Sequence, residues 1–150
     1  MSEVHLPDAA ATRTAGAALA GRLRPGDLVL LSGPLGAGKT TFVTGVVEAL
    51  GALGPVASPT FTVGRTYPGP GFDVHHLDLW RFDGDLDPDD WAALEPYFAE
   101  DAITFVEWPE VAGAAFPVAV RARVCLDHAG TGSADAGRTL SIDFDGDAGP

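Results

Sequence analysis

The chain has 150 residues, 46% hydrophobic and 20% charged, a composition that suits one globular domain over residues 1–150 with only a tail from about 146 frayed. Its net charge is −12, and such a surface repels phosphate backbones and disfavours direct binding, so DNA is not expected as a partner and tRNA is expected only through a second protein, while a background composition rich in Ala, Gly, Asp and Arg accounts for the acidity at least as well. One cysteine, Cys125, excludes an intrachain disulfide and a cysteine-based zinc site; with no apolar run long enough for a bilayer and no basic-then-apolar leader, a cytoplasmic protein with no membrane partner is expected.

In chain order, the alternation in Glu3-Val4-His5-Leu6 predicts a short edge strand that Pro7 stops. Asp8 is a candidate N-cap for a helix from about Ala9 to Leu23, with an apolar stripe at Ala11, Ala15, Ala18, Leu19 and Leu23. Arg24 to Asp27 is a turn, and Leu28 to Ser32 reads as a buried central strand. A glycine-rich loop and a helix to about Leu50 follow. Ser58 to Val63 reads as a loop entering a strand, Pro68 to Gly71 as a hairpin end, and Asp73 to Trp80 as the returning strand. A short helix runs from near Pro88 to about Glu95. Ala102 to Val106 is a second buried strand that ends at Glu107. Pro117 to Leu126, with Cys125 expected in the core, and Thr139 to Phe144 alternate as strands. Consecutive strands without helices between them cannot all be parallel neighbours. The fold class is therefore α/β: a three-layer P-loop domain whose mixed sheet has a parallel core and antiparallel additions.

The stretch Gly33-Pro34-Leu35-Gly36-Ala37-Gly38-Lys39-Thr40 has the spacing of a Walker A loop, with an apolar strand before it and a helix after it. Its glycines let successive N–H groups turn inward toward phosphate oxygens, and the helix N-terminus adds a positive dipole end. Lys39 supplies a charge to the outer phosphates, and the Thr40 hydroxyl is a candidate Mg²⁺ ligand. Lys39 is also the only lysine in the chain; the other eight basic residues are arginines. A guanine-reading Asn-Lys-x-Asp pattern is therefore impossible, and ATP is the expected nucleotide.

A P-loop needs an acidic partner for the metal or the attacking water, at the C-terminal end of a neighbouring strand. Ile103 to Glu107 fits best and makes Glu107 the first choice for a Mg²⁺-side carboxylate, directly or through water. Asp78, after Val74-His75-His76-Leu77, is second, as a metal-shell or water-orienting group. Thr60, in Ser58-Pro59-Thr60, suits either a γ-phosphate-sensing switch loop or an ordinary turn. His75 and His76 face opposite sides of a strand, which suits at least one packed histidine and not a joint metal site. Trp80 and Trp108, each just after a candidate acid, suit core, nucleotide-neighbour or partner-contact positions, with core the default.

Taken together, Leu35 to Phe42, Ser58 to Thr62, His76 to Arg81 and Val106 to Pro109 resemble the bacterial ATPase family that assists threonylcarbamoyl modification of tRNA adenosine (TsaE, formerly YjeE). Pro34 and Trp80 depart from that family's usual Asp and Tyr. The resemblance implies Mg²⁺ on Thr40 and Glu107, and hydrolysis supported by Lys39, Thr60 and Asp78. It also implies a nucleotide held by Ala9, Gly33, Leu35, Gly36, Ala37, Gly38, Lys39, Thr40, Thr41, Trp108 and Arg138, with adenine near Asp8 and Ala9. It implies a weak ATPase working with a threonylcarbamoyl-transferase subunit and that subunit's inactive paralogue. Two other readings are a small-molecule kinase, disfavoured because no compact arginine-bearing helical lid follows the P-loop helix, and a non-catalytic nucleotide-dependent interaction module.

Overall fold

The structure, a computed structural model, describes residues 3–34, 36–52, 54–56, 64–82, 86–112, 116–129 and 137–144. Among these, β1 (Glu3–Leu6), α1 (Ala9–Ala20), β2 (Leu28–Ser32), α2 (Lys39–Ala49), β3 (Gly64–Pro68), β4 (Asp73–Asp78), α3 (Pro88–Leu94), β5 (Ala102–Glu107), β6 (Val120–His128) and β7 (Arg138–Phe144) follow one another. The strands form one sheet in the order β1-β7-β6-β2-β5-β4-β3. β2 is parallel to both β5 and β6, and β4 is parallel to β5. The pairs β1–β7, β6–β7 and β3–β4 are antiparallel. The expected parallel core with antiparallel additions is thus the observed architecture.

Period-two alternation sorts the core into two layers. Val29 and Leu31 of β2 pack with Phe105 and Ile103 of β5 against α1 and α2. Leu28 and Leu30 turn the other way, with Leu77 and Val106, toward Leu94 and Trp91 of α3 and the segment around Phe116. Every residue of β5 is buried, as a strand covered on both faces must be. β6 is covered less evenly: Ala122, Val124 and Leu126 are buried, and Arg123, Cys125 and Asp127 are exposed between them. Cys125 is therefore not a core residue. It has the parity of the charged neighbours in its own alternation.

Local chemistry sets the helix ends. Asp8 caps α1 by accepting the Ala11 N–H at 2.8 Å. α1 stops at Ala20, short of the expected Leu23, because Arg22 and Leu23 donate to Leu19 and Ala20, three residues back, and tighten the chain out of the helix. In α3, Asp87 and Asp90 accept each other's backbone N–H in a capping box, with Pro88 in the first turn. The Pro68–Gly71 turn closes the β3–β4 hairpin as expected, with Gly69 N–H donating to the Phe72 carbonyl at 2.8 Å. β4 ends at Asp78, and Leu79–Arg81 forms a 3-10 turn where strand was expected to Trp80.

α1 and α2 meet through two glycines. A Cβ on Gly16 would strike the Phe42 carbonyl oxygen, and one on Gly45 would strike the Arg13 carbonyl oxygen. The backbones approach closely because neither residue has a side chain. Gly45→Ala tests this, because alanine favours an exposed helix by up to about 1 kcal/mol whereas overpacking costs about 1–3 kcal/mol. A lowered urea midpoint is expected; an unchanged or raised midpoint contradicts the close packing.

Candidate nucleotide site

The parallel strands β2, β5 and β4 end at one edge of the sheet, where Leu31 is level with Glu107 and Glu107 with Asp78. β7 runs the opposite way, so its first residue, Arg138, lies at the same edge, level with His128 of β6 and Leu6 of β1. Topology thus gathers the loop after β2, two carboxylates, one arginine and the start of α1. Glu107 and Asp78 share the parity of Phe105, which faces α1 and α2. Both acids accordingly lie on the P-loop side of the sheet.

The loop after β2 makes two close backbone approaches. Gly33 passes so near the Leu126 carbonyl that any side chain would collide with it. Gly38 is the N-cap of α2 at φ 99°, a left-handed conformation suited to glycine, and it supplies no capping side chain. The first-turn N–H groups of α2 are therefore left for an external acceptor, the arrangement that binds anions. Gly33, Gly36, Ala37, Lys39, Thr40 and Thr41 lie in or just after this loop; Leu35 is outside the described residues.

Lys39 is only 6% exposed. Its Nζ donates to the Gly33 carbonyl at 2.6 Å, lies 3.6 Å from Glu107 Oε1 and sits 4.4 Å from the centre of the Trp108 ring. Glu107 Oε2 accepts from His76 Nε2. Burial alone would raise the Glu107 pKa, and it is the largest single influence. The His76 hydrogen bond and charge, with Lys39, outweigh it and hold Glu107 below its ordinary value. Asp78 behaves oppositely. Burial raises its pKa, and Glu107 adds to that effect, against the Trp80 N–H that Oδ1 accepts at 2.9 Å and the more distant His76 and Lys39. Two adjacent carboxylates are thus set for different protonation behaviour, a pattern common at functional sites.

Trp108 follows Glu107 at φ 56°, outside the region most side chains adopt. Its ring lies against Trp80, with centroids 4.4 Å apart and planes tilted by 42°. Trp80 is not core: it is 60% exposed, because the 3-10 turn after β4 carries it outward over Trp108. On the other side of the loop is a cleft of about 140 Å³ between Asp8, Ala9 and Thr12 of the α1 start, Gly38 and Thr41 of the α2 start, and Arg138. Arg138 Nε donates to the Gly36 carbonyl at 3.0 Å and ties β7 to the loop. Ala9, Thr41 and Arg138 therefore meet, as do Lys39, Glu107, Asp78 and Trp108. Thr60 lies outside the described residues.

Two neighbours escaped sequence reading. Thr12, buried in the cleft, was signalled only by its one-turn spacing from Asp8, whose carbonyl accepts from Oγ1 at 3.3 Å. His76 carried the signal of a histidine inside an apolar strand, and only strand pairing reveals its carboxylate partner. Among the described residues no group of three or more His, Cys, Asp or Glu side chains is arranged to hold a metal. The donor set does fit Mg²⁺, which takes one or two protein oxygens together with phosphate oxygens and water. Thr40, in the first turn of α2, and Glu107 would be its oxygen donors, with Asp78 level with Glu107 on the next strand.

The sequence and the fold both have known relatives. A family model described as "Threonylcarbamoyl adenosine biosynthesis protein TsaE" matches residues 6–136. The chain is 46% identical over 100 residues to the tRNA threonylcarbamoyladenosine biosynthesis protein TsaE of Streptomyces coelicolor, a match covering 65% of this chain and 67% of that one. It is 41% identical over 111 residues to the protein of the same name from Synechocystis sp., over 72% of this chain and 70% of the relative. The crystal structure of Bacillus subtilis YdiB superposes with a TM-score of 0.73 at 26% identity, over 94% of this chain and 82% of that one. The family match takes in the P-loop, Asp78 and Glu107 and ends two residues before Arg138: this chain belongs to the TsaE family.

Proposed function

We propose that the chain binds ATP with Mg²⁺ at this sheet edge and hydrolyses it slowly, as a subunit working with a threonylcarbamoyl-transferase and that enzyme's inactive paralogue in the modification of tRNA adenosine. One observation carries the chemical part: the P-loop lysine is buried in contact with a strand-end carboxylate, with a second carboxylate of raised pKa beside it. Membership of the TsaE family carries the biosynthetic part. Acidity supports an indirect role toward tRNA, because a chain of net charge −12 leaves phosphate-backbone binding to its partners.

In this reading the first-turn amides of α2 and the Lys39 ammonium bind the phosphates. Lys39 leaves the Gly33 carbonyl and Glu107 to do so. Thr40 and Glu107 would hold Mg²⁺, which would supply neutralisation of phosphate charge. Asp78 orients the attacking water and accepts its proton, and its raised pKa suits that task better than a fully solvated aspartate would. Thr60 is assigned to sensing the γ-phosphate. The cleft beside Ala9, Thr12 and Arg138 takes the adenosine end, and Trp108 closes the side nearest Lys39.

Three outcomes are expected. Phosphate release by the purified chain is slow alone and rises when the transferase pair and tRNA are added; transfer of phosphate to a small metabolite instead would make it a kinase. Lys39→Ala lowers ATP affinity by about tenfold or more, the equivalent of one charge-assisted hydrogen bond, and abolishes turnover, with folding followed by circular dichroism. Unchanged affinity and turnover reject the P-loop assignment. Asp78→Asn keeps an acceptor for the Trp80 N–H but removes a charge that burial disfavours. Turnover should fall by about a hundredfold or more, while stability at neutral pH is retained or increased. Because the folded-state pKa of Asp78 is raised, its ionisation opposes folding at neutral pH. This destabilisation fades as pH falls through the raised value, and the gap between variant and wild-type melting temperatures closes in the same window. A variant less stable than wild type at neutral pH contradicts this account.

A further inference from the structure

His76 is fully buried at the fourth position of β4, level with Phe105 and two residues before Asp78. Its Nε2 bonds Glu107 Oε2. Its Nδ1 is the one buried side-chain nitrogen or oxygen among the described residues without a hydrogen-bond partner. Nε2 carries the proton toward Oε2, because an ionised carboxylate oxygen only accepts and the opposite tautomer would set the Nε2 lone pair against it.

The two oxygens of Glu107 are therefore unequal. Oε2 is held by a donor fixed inside the sheet. Oε1 lies 3.6 Å from Lys39 Nζ, the cation that bound phosphates would draw away. We propose that His76 is a positioning residue, pinning Oε2 of Glu107 so that Oε1 is presented to Mg²⁺ once nucleotide engages Lys39. A histidine there for packing alone would be a poor choice, because burying polar pairs in place of apolar side chains gains little stability. Fixed donors behind a metal-binding carboxylate act instead on metal affinity.

This inference rests on the Mg²⁺–ATP reading, and one binding experiment separates the two. The affinity of the full chain for a ribose-labelled fluorescent ATP is measured with and without Mg²⁺ for wild type, His76→Gln and His76→Asn. The Gln amide nitrogen reaches the position of Nε2; the Asn amide reaches only that of Nδ1. In His76→Asn, the Mg²⁺-dependent tightening should weaken by about tenfold or more while the Mg²⁺-free affinity stays within about threefold of wild type, and His76→Gln should recover most of the loss. Both variants are amides close in size, so a packing defect alone would not separate them in this way. Equal Mg²⁺ dependence in the two variants, or equal loss of Mg²⁺-free binding, overturns the role of His76. Absence of any Mg²⁺-dependent tightening in wild type overturns the underlying reading instead.

Discussion

A lysine and a glutamate, both almost wholly removed from water, meet at the edge of the parallel strands. Taking two charges out of water is costly, and their attraction offsets that cost only where geometry and further hydrogen bonds are good. Here the Gly33 carbonyl, the Trp108 ring and the His76 ring supply the additional partners. The arrangement requires β5 to lie beside β2 in parallel with its last residue level with the end of β2, and it requires α2 to start directly above that edge. The strand order and the glycine loop satisfy both requirements, so the sheet and the site are one construction.

The helical layer contributes by distance. Gly16 and Gly45 let α1 and α2 touch backbone to backbone, which brings the capped start of α1 close to the N-terminus of α2. The Thr12 methyl lies 3.5 Å and the Arg138 stem 3.9 Å from where a Gly38 side chain would begin. Adding methyl groups between the helices would widen the cleft beside the loop as well as strain the core. Packing and binding thus draw on the same small residues.

The two carboxylates differ for reasons that lie in their neighbours. Both stand at strand ends on the same face, one strand apart. Glu107 has two cationic or donating side chains around it and stays easily ionised; Asp78 has one backbone N–H and a like charge next door. Division of labour between a charge-holding acid and a proton-accepting acid follows from that asymmetry.

Much of this was legible in the chain itself. The Walker A spacing, the apolar strand before it and the apolar run ending at Glu107 depend on local pattern alone, because glycine freedom and period-two alternation act within a few residues. The mixed sheet followed from counting strands without helices between them. Trp80, Cys125 and His76 were misread or left open because burial is decided by which face of a strand is covered and where a turn sends the chain. Those depend on elements distant in sequence. The α1 end shifted because backbone bonds three residues back outcompeted an apolar stripe that could have continued. By itself the sequence determined which residues can bind phosphate, hold a cation and form buried strands, since these are properties of side chains and their spacing. Only the tertiary structure decided that Lys39 faces Glu107, that His76 stands behind it, and that Arg138 comes back to the loop. Each of those contacts joins elements far apart in the chain: parallel register sets the ends of β2, β5 and β4 level, and antiparallel β7 returns Arg138 to the same edge.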